Sequence, residues 1–148
     1  MQVEIDQSGK IGKTNEDTAL AFSNGKRSSV LIPRAVKQTC LRTLRRQGYE
    51  PNTIYLRLFV AGLYCLLRDH IAGIELAIID IEYPGHGDTI RRYLLNLLRR
   101  DGLVIHKERI TFDYVGKSSP AHNIALATFR GEQKPDKVLT AATLLDLI

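Results

Sequence analysis

The stretch Leu76-Ala-Ile-Ile-Asp-Ile-Glu82 constrains this chain more than any other. Its aliphatic run, rich in β-branched isoleucine, suits a pleated, buried surface and predicts a core strand. Alternation along such a strand places Asp80 and Glu82 on one face, with Ile79 and Ile81 on the other. Two carboxylates inside an apolar strand are costly unless a cation or a metal compensates them. A structural ion pair with a helical arginine and a metal site are therefore both open for this pair.

Around that strand the chain alternates between strand and helix signals. Residues 2 to 6 place Val3 and Ile5 on one face and Glu4 and Asp6 on the other. Residues 18 to 22 predict a second strand and 29 to 32 a third. The Asn24-Gly25 pair between them predicts a tight type I′ hairpin turn. Pro33 ends the third strand, and a helix is expected to about Gln47 on the stripe Val36, Cys40 and Leu44, stopped by Gly48. A second helix, roughly 53 to 71, is apolar almost all round and should be buried. After the loop Tyr83-Pro-Gly-His-Gly87, Asp88 or Thr89 can cap a helix to Arg100 striped by Ile90, Leu94, Leu97 and Leu98. A fifth strand is expected over 109 to 115. A helix capped by serine with Pro120 in its first turn follows, and a terminal helix over 138 to 148.

The stretch Ile5-Asp-Gln-Ser-Gly-Lys-Ile-Gly-Lys-Thr14 raises a second question, because its tail reads like the end of a phosphate-binding loop. The pattern requires a glycine five residues before Gly12, where Gln7 stands, and a helix directly after the lysine. The chain continues into a strand instead, so Lys13 and Thr14 are read as turn residues. What remains of the stretch is an aspartate delivered by a strand.

With 148 residues, 44% hydrophobic and 25% charged, the chain suits a single domain with one real core. A formal charge of +5 and a pI near 9.4 favour anionic partners, nucleic acid first. Cys40 and Cys65 lie in apolar helical patterns and are expected as buried free thiols. The N-terminus shows no signal peptide, and the apolar run from Leu58 to Leu67 is too short to span a bilayer. A cytoplasmic protein without a membrane partner is expected, and a homo-oligomer stays open.

The order strand, strand, strand, helix, helix, strand, helix, strand, helix resembles the ribonuclease H-like fold over nearly the whole chain. That fold implies an α/β architecture with a mixed five-stranded sheet flanked by helices: three antiparallel strands, then two entered through helical crossovers. Three short stretches carry the resemblance. Asp6-Gln-Ser-Gly-Lys-Ile-Gly12 is similar to the first-strand motif of type 2 ribonucleases H, with Gln7 where that family has a second acid. Ile78-Ile-Asp-Ile-Glu82 stands where a central strand supplies a second metal ligand. Ser118-Ser-Pro-Ala-His-Asn-Ile-Ala125 resembles the late helix that supplies the last ligand, a histidine in some Argonaute and Holliday-junction-resolvase members. The chain has no acid from 119 to 131 and none in its first helix, from which ribonucleases H draw a glutamate.

The resemblance implies a nuclease using Mg²⁺ or Mn²⁺, whose ions clamp the attacking and leaving oxygens about 3.5–4 Å apart. Such hard cations take carboxylate oxygens converging from separate elements. Asp6, Asp80, Glu82 and His122 are the expected metal-site and catalytic group, and Asp113, His86 and Asp88 are weaker candidates. Each has a plainer role open to it: a turn cap for Asp6, a contact at a helix start for His122, a solvent-facing position for Asp113. Arg42, Arg45 and Arg46 on the first helix and Arg92 and Arg99 on the third are expected to contact phosphates, or else to form solvated helix faces. Two further functions stay open: a ribonuclease H-like domain that binds or scaffolds nucleic acid without cutting it, and a small-molecule enzyme using the loop from Tyr83 to Asp88.

Overall fold

The computed structural model describes residues 1–148 as an α/β protein with a mixed six-stranded sheet flanked by helices. Strands β1 (Gln2–Ser8), β2 (Thr18–Asn24) and β3 (Lys26–Ile32) form an antiparallel meander. Helices α1 (Arg34–Arg46) and α2 (Pro51–Leu67) then carry the chain to β4 (Leu76–Asp80), which pairs parallel with β1. Helix α3 (Gly87–Arg100) leads to β5 (Ile110–Asp113), parallel to β4. Helix α4 (Pro120–Phe129), the two-residue β6 (Lys137–Val138) and α5 (Ala141–Asp146) complete the chain. The strand order is β5-β4-β1-β2-β3-β6.

Alternation along the strands divides the molecule into layers. Val3 and Ile5 of β1, Leu20 and Phe22 of β2, and Ala77 and Ile79 of β4 join one large buried cluster with α2 and the inner stripes of α1 and α3. Twelve of the seventeen residues of α2 are buried, so its all-round apolarity reflects a helix covered on every side. A side chain at Gly62 would come within 2.8 Å of Leu20, so the missing Cβ lets α2 settle closely on β2 and β3. Only α4 packs on the opposite face, where Ile124 and Ala125 meet Ala21. Its start is built as its sequence predicts: Ser119 is the N-cap, its hydroxyl accepting from the Ala121 N–H, and Pro120 opens the helix. No helix is long and apolar enough to cross a membrane, and Cys40 and Cys65 are free and buried.

Several expectations are corrected. The sheet has six strands, not five. Asp136 accepts from the Ser29 N–H through its side chain and donates its own N–H to the Ser29 carbonyl, and Leu139 N–H reaches the Leu31 carbonyl. This short segment covers the edge that β3 would otherwise leave open, and the terminal helix shrinks to α5. The hairpin after β2 is not type I′: Gly25, at φ +83°, is the only residue of the pair with positive φ, and Asn24 already pairs with Lys26. Neither Asp88 nor Thr89 caps α3; His86 holds that position without a side-chain bond, and Asp88 pairs with Arg91 at 3.0 Å.

The buried stripe of α1 is Lys37, Cys40 and Leu44, with Val36 only half-buried. Lys37 is 1% exposed, and its ammonium donates to the carbonyls of Lys10 (3.0 Å) and Lys13 (2.7 Å) and to the Thr18 hydroxyl (3.1 Å). Burial pushes its pKa down to about 8, with Glu16 and Asp17 opposing the shift. Three acceptors for three donor hydrogens make the buried ammonium tolerable and fasten the loop between β1 and β2 to α1. That loop contains Gly12, Lys13 and Thr14, with no helix after them, so the phosphate-loop reading has no structural basis here.

Candidate metal centre

The parallel pairing of β1 with β4 brings the first aspartate beside the central strand. Ile5 pairs with Ile79, so Asp6 and Asp80 follow at the same level. On its other side Asp6 pairs with Ala21, which α4 covers, so the Asp6 carboxylate lies on the α4 face of the sheet. Asp6 stands within β1 and is 5% exposed. Its Oδ1 accepts from the Gln7 N–H at 2.8 Å, and its Oδ2 meets His122 Nδ1 at 2.8 Å. Gln7 belongs to the opposite face by alternation, so it does not replace the missing second acid. Its Oε1 is buried without a partner.

The fourth strand stops at Asp80, short of the expected residue 82. Asp80 Oδ1 accepts from the Val115 N–H at 2.7 Å, and the chain then turns back so that the Glu82 N–H donates to the Asp80 carbonyl at 3.0 Å. Glu82 therefore returns to the cluster through a turn and not through strand alternation. Asp6, Asp80 and Glu82 can each offer an oxygen such that all three lie within 4.8 Å of one another.

Electrostatics at this point are unfavourable for the chain alone. Burial first, then the hydrogen bond and charge of Asp80 and the charge of Asp6, push the Glu82 carboxyl up to about 8. Lys10 opposes that shift, which identifies it as a cation supplied by the loop after β1. Burial also raises the Asp6 carboxyl, against its bonds from Gln7 and His122. No lysine or arginine forms an ion pair with Asp6, Asp80 or Glu82, so the arginine salt bridge considered for the central strand does not exist. Converging hard oxygen donors with no lysine or arginine paired to them fit Mg²⁺ or Mn²⁺ in donor chemistry and charge.

His122 lies in the first turn of α4, as expected, with its Nδ1 2.8 Å from Asp6 Oδ2; it orients that carboxylate and stands beside the group of three carboxylates whose oxygens lie within 4.8 Å of one another. Asp113 pairs with Asp80 across the sheet but is exposed, its Oδ1 accepting from the Tyr114 N–H. His86 and Asp88 are exposed and outside the cluster. A cleft of about 190 Å³ lies beside Asp80 and Glu82, walled by Tyr83, Ile90 and Phe112.

The arginines do not converge with the acids. Arg42, Arg45 and Arg46 lie on α1 and Arg92 and Arg99 on α3, both helices packing on the sheet face away from α4. Arg92 and Arg99 line a shallow groove with Arg91, Asn96 and Lys107. Two contributors were missed in the sequence. Lys37 had a signal, being three residues before Cys40 and seven before Leu44 on the buried stripe. Lys10 had only its position in the glycine-containing turn.

Comparison with protein-family models, with curated proteins and with solved structures gives no match for this chain.

Proposed function

We propose that this protein is a divalent-metal-dependent nuclease of ribonuclease H-like architecture, hydrolysing phosphodiesters in structured or hybrid nucleic acid. The observation that carries the proposal is the convergence of Asp6, Asp80 and Glu82 within 4.8 Å with no lysine or arginine paired to them. The order β5-β4-β1-β2-β3, with β1 and β4 as parallel neighbours, supports the fold assignment, with β6 an addition at the far edge. The net charge of +5 supports a polyanionic substrate.

In this reading the residues divide the work as follows. Asp6 and Asp80 are oriented by the Gln7 and Val115 N–H groups, and His122 fixes the second oxygen of Asp6. Glu82, which holds its proton to about pH 8 in the metal-free chain, is the carboxyl that must release it for the full donor set. Bound Mg²⁺ or Mn²⁺ would polarise the phosphoryl oxygen and activate water. Lys10 supplies a positive charge beside the cluster, and the arginines of α1 and α3 would hold more distant phosphates. The two unpaired thiols agree with a cytoplasmic setting.

A second reading, a domain that binds nucleic acid without cutting it, rests on the late helix offering His122 and no acid. Calorimetric titration with Mn²⁺ tests the donor set itself. Wild type should bind Mn²⁺, and Asp80→Asn should bind it at least about tenfold more weakly; equal isotherms would reject the site.

A further inference from the structure

Two adjoining clefts along α3 gather the positive charge of the chain. A groove of about 500 Å³ is lined by Arg91, Arg92, Asn96, Arg99 and Lys107, with Asp88 at its start. A second cleft, about 90 Å³, lies between α3 and α2 and is lined by Arg57, Tyr93, Asn96 and Arg100 against an apolar wall. Asn96 lines both, and the Tyr93 ring carries the guanidinium of Arg57 at 4.0 Å and that of Arg92 at 5.4 Å. The clefts therefore form one surface. Six cationic side chains and one carboxylate line it, and that carboxylate, Asp88, is already paired with Arg91 at 3.0 Å. The surplus equals the formal charge of the whole chain, +5, so the remaining residues are neutral in sum. Arg57, Arg92, Arg99, Arg100 and Lys107 enter no ion pair, and Arg57 Nε is buried without an acceptor. A helix face that is merely solvated commonly alternates both signs; this one carries a single sign.

This surface begins where the carboxylate cleft ends. Gly87 and Phe112 wall the cleft beside Asp80 and Glu82, and the next residue, Asp88, opens the groove. Arg91 joins the two: its guanidinium lies 5.5 Å from the centre of the Phe112 ring, and its Nε donates to the Ile110 carbonyl at 2.9 Å, which ties it to β5. From Arg91 to Arg100 the helix rises about 14 Å. That length spans roughly four phosphates of one strand at about 3.4 Å each. A compact anion would meet only one or two of these cations, whereas a chain of evenly spaced phosphates meets the whole row.

We propose that the two clefts form one track for the sugar-phosphate backbone of a nucleic-acid strand, leading from the carboxylate cleft past Arg91, Arg92, Arg99 and Lys107 to Arg57 and Arg100. The track holds a strand whether or not it is paired, because phosphate contacts carry no sequence information and leave the bases free. That the strand leads away from Asp80 and Glu82 rests on the nuclease reading; binding to the track does not.

Affinity for a labelled twelve-nucleotide thymidine strand and for a twelve-base-pair duplex is measured in EDTA from about 50 to about 200 mM KCl. Four neutralised phosphates predict a slope of log K against log salt of about −2.8 on the strand and about −3.6 on the duplex. On the strand this is a loss of about 50-fold over the range. Arg92→Gln/Arg99→Gln, in the middle of the track, and Arg57→Gln/Arg100→Gln, at its end, should each halve the slope, leaving a loss of about sevenfold. Lys26→Gln/Arg27→Gln removes the same charge from exposed positions at the start of β3 and should keep the wild-type slope. Melting temperatures check that each variant folds. A wild type that binds neither probe, a track variant with the wild-type slope, or a Lys26→Gln/Arg27→Gln protein flattened as far as the track variants would overturn the proposal. Halved slopes without cleavage in Mg²⁺ or Mn²⁺ would keep the track and reject the nuclease reading. Metal-dependent cleavage with wild-type slopes in both track variants would do the reverse.

Discussion

Replacing Glu82 by glutamine separates the electrostatic cost of the carboxylate cluster from everything else in the molecule. In the unfolded chain a glutamate ionises near 4.5, and in the fold Glu82 does so near 8. Between these values the folded state holds a proton that the unfolded state has lost, so stability falls as pH rises through this window and levels off above it. At about 1.4 kcal/mol per pH unit the full difference is roughly 5 kcal/mol. Partial solvent access and side-chain relaxation should reduce it to about 2–3 kcal/mol. Glutamine keeps the shape and carries no charge at any pH. Urea or thermal unfolding of both proteins from pH 5 to 9 in EDTA should give similar stabilities at pH 5, with Glu82→Gln the more stable at pH 9. The gap corresponds to roughly 5–10 °C in Tm for a domain of this size. Adding Mg²⁺ or Mn²⁺ at pH 8 to 9 should reverse the order, because a metal bound by the folded state alone stabilises it. Parallel pH profiles for the two proteins would refute the crowding of the three carboxyls.

Two further substitutions test the scaffold that presents the site. Lys37→Met keeps most of the buried stem and deletes the ammonium, leaving the Lys10 and Lys13 carbonyls and the Thr18 hydroxyl short of a donor. A loss of about 2–3 kcal/mol in urea unfolding is expected, and unchanged stability would mean that the loop does not depend on α1. Gly9→Ala places a Cβ 2.1 Å from the Asp17 carbonyl oxygen and 2.6 Å from the Phe129 ring at φ +77°. Left-handed strain and overpacking together should cost about 3 kcal/mol, and a fall in Tm below about 2 °C would contradict the close approach of α4 to this turn.

The order of elements was legible because each carried its own periodicity: alternation in β1 and β2, aliphatic density in β4, stripes in α3, and serine followed by proline at α4. Asp6 and Asp80 were legible as strand-borne acids inside apolar patterns. What escaped the sequence depended on partners far along the chain. The sixth strand has two residues, too few for any period, and exists because Asp136 meets Ser29. Glu82 reaches the cluster through a turn after β4 has ended, so alternation gave the correct neighbour for a reason that does not hold. His122 was visible as a helix-start histidine, but that its ring meets Asp6, 116 residues away, follows only from α4 packing across β1. Lys37 shares the spacing of Cys40 and Leu44, but what makes its burial tolerable, three acceptors in the loop after β1 and at the start of β2, follows only from the packing of that loop on α1.

Asp6, Asp80 and Glu82 are proposed to hold a metal that cuts phosphodiesters. The most direct test incubates wild type and Asp80→Asn with labelled single strands, duplex DNA, RNA–DNA hybrid and a four-way junction, in Mg²⁺, in Mn²⁺ and in EDTA. Metal-dependent cleavage of at least one substrate by wild type, reduced by about 10²-fold or more in Asp80→Asn, is the predicted result. Equal cleavage by both proteins, or none by either in any metal, would contradict it.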